Sequence, residues 1–430
     1  MKIIIAGAGD LGSHLAKLLS SESHDIYLLD QNEERLNTIS SQIDVFTIAG
    51  DAKSVEIMEQ KLISSCDLLI AVTSSEETNM LICILGKKLG AKRTIARIND
   101  VNIIKENKEH FYNELGIDTL ISPTYLATLE IQRLVNQSAF TDDIEFDNGK
   151  LTVFGISLSK NSILINKTVR ESADLNPNLS FKPLALHRDN LTLIVNGETF
   201  LKENDIVYFI SLKDSIPNII KLCGKNNFKI KDVMIIGGSR IGINTAELLE
   251  NDFRVTLVEK DKATCEKMAN TLKKTLIINI DGHDVKMLEE EGLTEIDALI
   301  SVTADSEMNI MTSLVGKSHG IKKTIARIEN FDYINLSQSI GIDTLINKKI
   351  IAADNIFKFV RKGNVSLVAN LHGTDAEIIE FVVKDGSKIT KSPINKLNFP
   401  NSSKIAGVIR NGIPIIPFGD FHLKENDKTI

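Results

Sequence analysis

At 430 residues the chain exceeds one ordinary hydrophobic core, and two to four domains are expected. Its 43% hydrophobic and 25% charged residues, with a mean hydropathy of +0.00, argue for a folded globular protein and against disorder. A net charge of −7 without a basic stripe argues against a nucleic-acid partner, and no apolar run reaches the roughly 18–20 residues of a membrane span, so direct membrane insertion is not expected.

The chain passes from Met1-Lys2 straight into an apolar strand, with none of the features of a secretory leader. The strand runs into Gly7-Ala8-Gly9-Asp10-Leu11-Gly12, and a helix follows with apolar Leu11, Leu15, Leu18 and Leu19. Further short apolar runs follow: DIYLLD ending at Asp30, VFTIAGD at Asp51, DLLIAVT at Thr73, TIARI from Thr94 and GIDTLI from Gly116. None alternates as a one-sided strand does, which is the signature of strands buried on both faces of a parallel, doubly wound sheet. A stretch punctuated by Gly and Asn, ALHRDNLTLIVNGETFLKEND from Ala185, then predicts a small β-rich module.

The whole order recurs. VMIIGGSRIG begins at Val233, RVTLVE ends at Glu259, TLIINID at Asp281 and DALISVT at Thr303; TIARI returns at Thr324, GIDTLI at Gly341 and GVIRNGIPIIPFGDFHLKEND at Gly407. The predicted fold class is therefore α/β, with two doubly wound parallel-sheet Rossmann domains, each followed by a small β-rich α+β domain. The expected segments are 1–137, 138–228, 229–360 and 361–430. The last is expected to be incomplete, because the first copy continues past the point that matches Ile430.

The glycine turn carries the chemistry. Gly7 permits the tight turn, Gly9 lets backbone approach a pyrophosphate, and Gly12 lets helix and strand pack closely, while the N–H groups that open the helix at Asp10 and Leu11 suit phosphate. Asp30 is placed to accept hydrogen bonds from ribose hydroxyls and to repel a 2′-phosphate, which favours NAD(H), ATP or ADP over NADP. Asp51 and Thr73, with Ser74 beside it, close the next strands at the same sheet edge; each is equally explained as a helix cap. Arg97 is a candidate phosphate ligand, with a surface ion pair as its alternative. In the second half the turn is Gly237-Gly238-Ser239-Arg240-Ile241-Gly242, with Ser239 where the second glycine belongs and Glu259 in place of Asp30. With Asp281, Thr303 and Arg327 this forms a second candidate site, expected to bind more weakly, to take a different nucleotide, or to be an empty copy.

Other chemistry is sparse. Cys66, Cys83, Cys223 and Cys265 lack paired spacing and read as free buried thiols in a reducing compartment. The eight histidines, His372 among them, lack metal-ligand spacing, so no metal site is expected.

In this combination the chain resembles the TrkA-type regulatory subunits of bacterial Trk potassium-uptake systems, built from duplicated regulator-of-potassium-conductance (RCK) units. The resemblance covers essentially the whole chain, with Ser239 and the short last module as departures. It implies a non-enzymatic nucleotide sensor that binds NAD(H) or an adenine nucleotide (ATP/ADP). It further implies a homotetramer, cytoplasmic and peripheral on the inner face of the cell membrane, gating a Trk-type potassium-translocating subunit. An NAD-dependent oxidoreductase is the competing reading, and a ligand-free scaffold the third.

Overall fold

The computed structural model describes residues 1–430 apart from 23, 60–65, 106–108, 137–141, 177, 179, 190, 226–228, 331–341, 343, 361–364, 372–375 and 401. Gly341, His372 and the residues around the expected boundaries at 137, 228 and 361 lie outside the described set.

The first half folds as a six-stranded sheet of order β3-β2-β1-β4-β5-β6, comprising β1 (Lys2–Ala6), β2 (Asp25–Asp30), β3 (Phe46–Ala49), β4 (Leu68–Ala71), β5 (Thr94–Arg97) and β6 (Thr119–Ile121), all parallel. Ile3, Ile4 and Ile5 of β1 are each at most 2% exposed, because helices cover both faces. Ile3 and Ile5 enter one core, Ile4 and Ala6 the other, following the two-residue period of a strand. Strand order reverses between β1 and β4, which opens a crevice at their carboxyl ends.

Next in the chain comes a five-stranded antiparallel module of order β10-β9-β11-β8-β7, from β7 (Asp142–Phe146), β8 (Leu151–Ser157), β9 (Phe181–Arg188), β10 (Leu191–Ile194) and β11 (Ile206–Leu212). The second parallel sheet repeats the first as β14-β13-β12-β15-β16-β17, from β12 (Asp232–Ile236), β13 (Arg254–Val258), β14 (Leu276–Ile278), β15 (Ala298–Ser301), β16 (Lys323–Arg327) and β17 (Thr344–Ile346). A second five-stranded module ends the chain, of order β18-β19-β22-β20-β21, from β18 (Val365–Asn370), β19 (Glu377–Val382), β20 (Val408–Arg410), β21 (Ile413–Ile415) and β22 (Lys428–Thr429). The doubly wound duplication expected from the repeat is what the chain forms.

Two helices bury most of their apolar stripe on the sheet they do not follow. Pro123–Asn136 leaves the first sheet and buries Ala127, Ile131, Leu134 and Val135 among Ile235, Leu257 and Ile300 of the second. Lys348–Val360 leaves the second sheet and buries Ala352, Ala353, Ile356 and Phe357 among Ile3, Leu15 and Ile70 of the first. Each helix carries an apolar stripe at three- and four-residue spacing, so each must be covered, but the stripe does not encode which sheet covers it.

The β-modules pack on each other: Phe146, Leu151, Val153 and Ile210 of the first share a core with Leu371, Ile378, Ile409 and Ile430 of the second. Within this contact Lys182 Nζ donates to the carbonyls of Ile405 and Pro417 at 3.1 and 2.9 Å, while Lys404 Nζ donates to those of Pro183 and Val195 at 3.2 and 2.9 Å. The repeat thus generates a reciprocal pair, and among the described residues neither ammonium has a carboxylate within ion-pair distance. Burial pushes the Lys182 ammonium down to about 7, helped by repulsion from Lys404, and burial pushes Lys404 down to about 8. Folded values below the unfolded value of roughly 10.4 mean that folding expels protons above pH 7. Stability should therefore rise toward pH 10, from about pH 7 for Lys182 and about pH 8 for Lys404, by about 1 kcal/mol per pH unit for each lysine, and be insensitive to them below those values. Thermal melts across this range should show the slope in the native chain and lose it in the Lys182→Met/Lys404→Met variant; equal slopes would refute the linkage.

Candidate functional site

The three glycines of the first turn have different reasons to be glycine. Gly7 sits at φ +108, and a Cβ there would lie 2.9 Å from the Thr73 backbone nitrogen. At Gly12 it would lie 1.8 Å from the Gly7 carbonyl oxygen. Both are required by the fold itself. Gly9 is not, since a Cβ there would meet no atom within 4 Å. Gly9 is also the N-cap of the helix Asp10–Ser20, which has no side-chain cap, leaving its first N–H groups open to an anion.

Asp30 holds this loop. One carboxylate oxygen accepts from the Ala8 N–H at 2.6 Å and the other from the Asn32 N–H at 2.9 Å, leaving lone pairs toward the crevice. Glu259 repeats the latch with the N–H groups of Gly238 at 2.6 Å and Asp261 at 2.8 Å. Asp51 accepts from the Lys53 N–H at 2.9 Å, which holds its carboxyl below the usual range, and Asp281 accepts from the His283 N–H at 3.0 Å. Neither caps a helix.

Thr73 is not a cap either; Ser75 is, accepting from the Thr78 N–H. The Thr73 N–H and hydroxyl both donate to Asn79 Oδ1, at 2.8 and 2.7 Å, and Asn79 Nδ2 donates to the carbonyls of Thr73 and Arg97 at 3.1 and 2.9 Å. Asn79, 1% exposed, thereby fastens the ends of β4 and β5 together. Asn309 does the same for Thr303 and Arg327. Sequence reasoning missed both asparagines, although each sits six residues beyond its threonine in both halves.

In the first half Gly7, Gly9, Asp10, Leu11, Asp30, Asp51, Thr73, Ser74 and Arg97 line one cavity of about 440 Å³. Ala8 and Gly12, expected at the site, are not among its lining residues. Arg97 is partly buried, and its Nε has no hydrogen-bond partner among the described residues. The wall also includes Lys348 and Lys349, at the start of the helix that crosses from the second half. These two were not singled out in the sequence; setting GIDTLINKK against GIDTLISPT shows the difference.

The second half keeps the framework and alters the mouth. Gly237 and Gly242 repeat the packing of Gly7 and Gly12, and Ile241 is buried while Arg240 is exposed. Ser239 caps the helix that follows it. Its hydroxyl accepts from the Gly242 N–H at 3.3 Å and donates to the Val302 carbonyl at 2.7 Å, so this helix is capped by its own chain. Arg327 is engaged as well, pairing with Glu329 and donating to the Thr303 carbonyl at 3.1 Å. Among the described residues no cluster of metal-ligating side chains occurs, no helix is long and apolar enough to cross a membrane, and all four cysteines are free and buried.

The TrkA-N domain family matches residues 3–123 and again 233–348. The Trk system potassium uptake protein TrkA of Haemophilus influenzae is 32% identical, covering all of this chain and 95% of that protein. TrkA homolog 1 of Methanosarcina mazei is 29% identical, covering all of this chain and 96% of that protein. Among solved structures the GsuK RCK domain superposes with a TM-score of 0.62 at 15% identity, covering all of this chain and 91% of that one. The GsuK channel bound to NAD gives 0.62 at 15% identity, with 76% of that chain covered, which extends the likeness in fold. With both halves matched and full-length relatives at up to 32% identity, the chain belongs to the TrkA family, with one TrkA-N domain in each half.

Proposed function

We propose that this chain is the nucleotide-sensing regulatory subunit of a potassium-uptake system, binding NAD(H) or an adenine nucleotide in the first-half cavity and gating a Trk-type membrane subunit by conformational change. The carrying observation is Gly9, a bare position over an uncapped helix N-terminus, flanked by Asp30 and Arg97. Relatives named as Trk potassium-uptake proteins along the full length support the transport role. The described lining offers carboxylates, arginines and lysines to a nucleotide but no histidine, cysteine or tyrosine for proton exchange near neutrality, which favours a sensor over an oxidoreductase. Adenosine meets the Asp30 side and phosphates the helix N-terminus and Arg97. Within this reading the protein is a homotetramer, cytoplasmic and peripheral on the inner membrane face, and its segments 1–137, 138–228, 229–360 and 361–430 are the RCK units. A ligand gates only through its different affinity for the two states, so differences at the phosphates matter more than total affinity.

Calorimetric titration with NAD, NADH, ADP and ATP tests the site. Asp30→Ala should weaken binding by about 1–3 kcal/mol through lost charge-assisted hydrogen bonds. Gly9→Val, whose side chain enters open space, should melt like the native chain yet lose binding. Undiminished affinity in both variants would refute the assignment. Ion flux in liposomes carrying the membrane partner, measured across the nucleotide series, tests gating; flux indifferent to every bound nucleotide would favour a scaffold.

A further inference from the structure

The duplication makes a one-sided exchange visible. Lys349 Nζ lies 2.6 Å from Asp10 Oδ2, across the boundary between halves, and 3.1 Å from Glu329 Oε2; Lys348 Nζ lies 3.1 Å from Glu329 Oε1. Arg327 pairs with the same glutamate, and Arg97 feels its charge from the first half. The first cavity is lined by five cations (Arg35, Lys53, Arg97, Lys348 and Lys349) and three carboxylates (Asp10, Asp30 and Asp51), an excess of two positive charges, while Glu329 pairs with both lysines from outside that lining. The repeat places Asn99 opposite Glu329, and Pro123 and Thr124 opposite Lys348 and Lys349, so the first half has no such cations to return to the second. The second half also fills its own phosphate position, through Ser239 and the Arg327–Glu329 pair.

We propose that the first cavity takes an adenine nucleotide bearing terminal phosphates, and that Lys348 and Lys349 of the second half are the residues that recognise those phosphates. This rests on the nucleotide reading of the cavity. Terminal phosphate entering beside the helix Asp10–Ser20 competes with Asp10 for Lys349, replacing an ion pair with one carboxylate by contacts to a group of higher charge. Lys348 and Lys349 open a helix whose other end is fastened in the first core by Phe357 and Val360, and β18 of the last module follows it. The nucleotide therefore bridges the halves, and its terminal phosphates set how firmly.

Calorimetry of the full chain with AMP, ADP and ATP tests this. The native protein should bind more tightly at each added phosphate. Lys348→Gln/Lys349→Gln should lose roughly tenfold or more for ATP while AMP affinity holds, and Lys348→Arg/Lys349→Arg, which keeps the charge, should retain the ATP advantage. An unchanged ATP-to-AMP ratio in the glutamine variant overturns the inference while leaving the cavity a nucleotide site, and so does an equal loss for AMP and ATP. Failure of the native chain to bind all three while it binds NAD overturns the inference alone, and failure to bind NAD as well removes both readings.

Discussion

Replacing Phe357 with alanine should destabilise the first Rossmann domain by about 3–5 kcal/mol, although the residue belongs to the second half of the sequence. Its ring is 3% exposed and shares a core with Leu15, Leu19 and Ile70, against the helix that begins at the glycine turn. Truncation leaves a cavity that a close-packed helix and sheet only partly collapse to fill, so the lost contacts add to the lost transfer energy. Nucleotide affinity should fall with stability, since Lys348 and Lys349 are carried on the same helix. Urea unfolding gives the energy, and titration of the variant gives the coupling. Phe111, 59% exposed, is the control: its alanine variant should stay within about 0.5 kcal/mol of native. Similar losses from both would mean that the crossing helix is not anchored in the first core.

Asp205→Ala should cost about 1–3 kcal/mol by removing charge-assisted hydrogen bonds to Arg188, whose guanidinium is partly exposed, and the acceptor of the Lys202 N–H. Asp205 is 1% exposed and accepts from Arg188 Nε and Nη2, both at 2.6 Å, and from the Lys202 N–H at 2.7 Å. This pairing raises the Arg188 pKa above its ordinary value. The second module repeats the arrangement: Asp427, also 1% exposed, accepts from Arg410 Nε and Nη2 at 2.8 Å and from the Lys424 N–H at 2.8 Å. Asp427→Ala should therefore cost a similar amount. The asparagines before these aspartates, Asn204 and Asn426, sit at φ 66 and 65, a left-handed turn that asparagine tolerates better than most residues. Denaturant midpoints of the two single variants and the double variant would measure the cost; a loss below 1 kcal/mol would show the ion pair to be replaceable.

The sequence alone determined what depends on neighbouring residues. A β-branched run, a glycine turn and an apolar helical stripe specify strand, turn and helix locally, and their repetition specified two doubly wound sheets with a module after each. The same local logic singled out Gly7, Gly9 and Gly12, and placed Asp30 and Glu259 at equivalent strand ends. Only the tertiary structure decided what depends on distant partners. The stripes of Pro123–Asn136 and Lys348–Val360 require burial without naming the sheet that provides it, so the crossing of the two helices was not legible. With the crossing came the placement of Lys349 beside Asp10, 339 positions away, and with the packing of the two β-modules came the reciprocal burial of Lys182 and Lys404. Ser239 was legible as a departure, but only geometry showed its hydroxyl taking the cap that Gly9 leaves open. A hydrophobic face is non-directional and an ammonium pairs with any acceptor within reach; such residues acquire a definite partner only when the chain has folded around them.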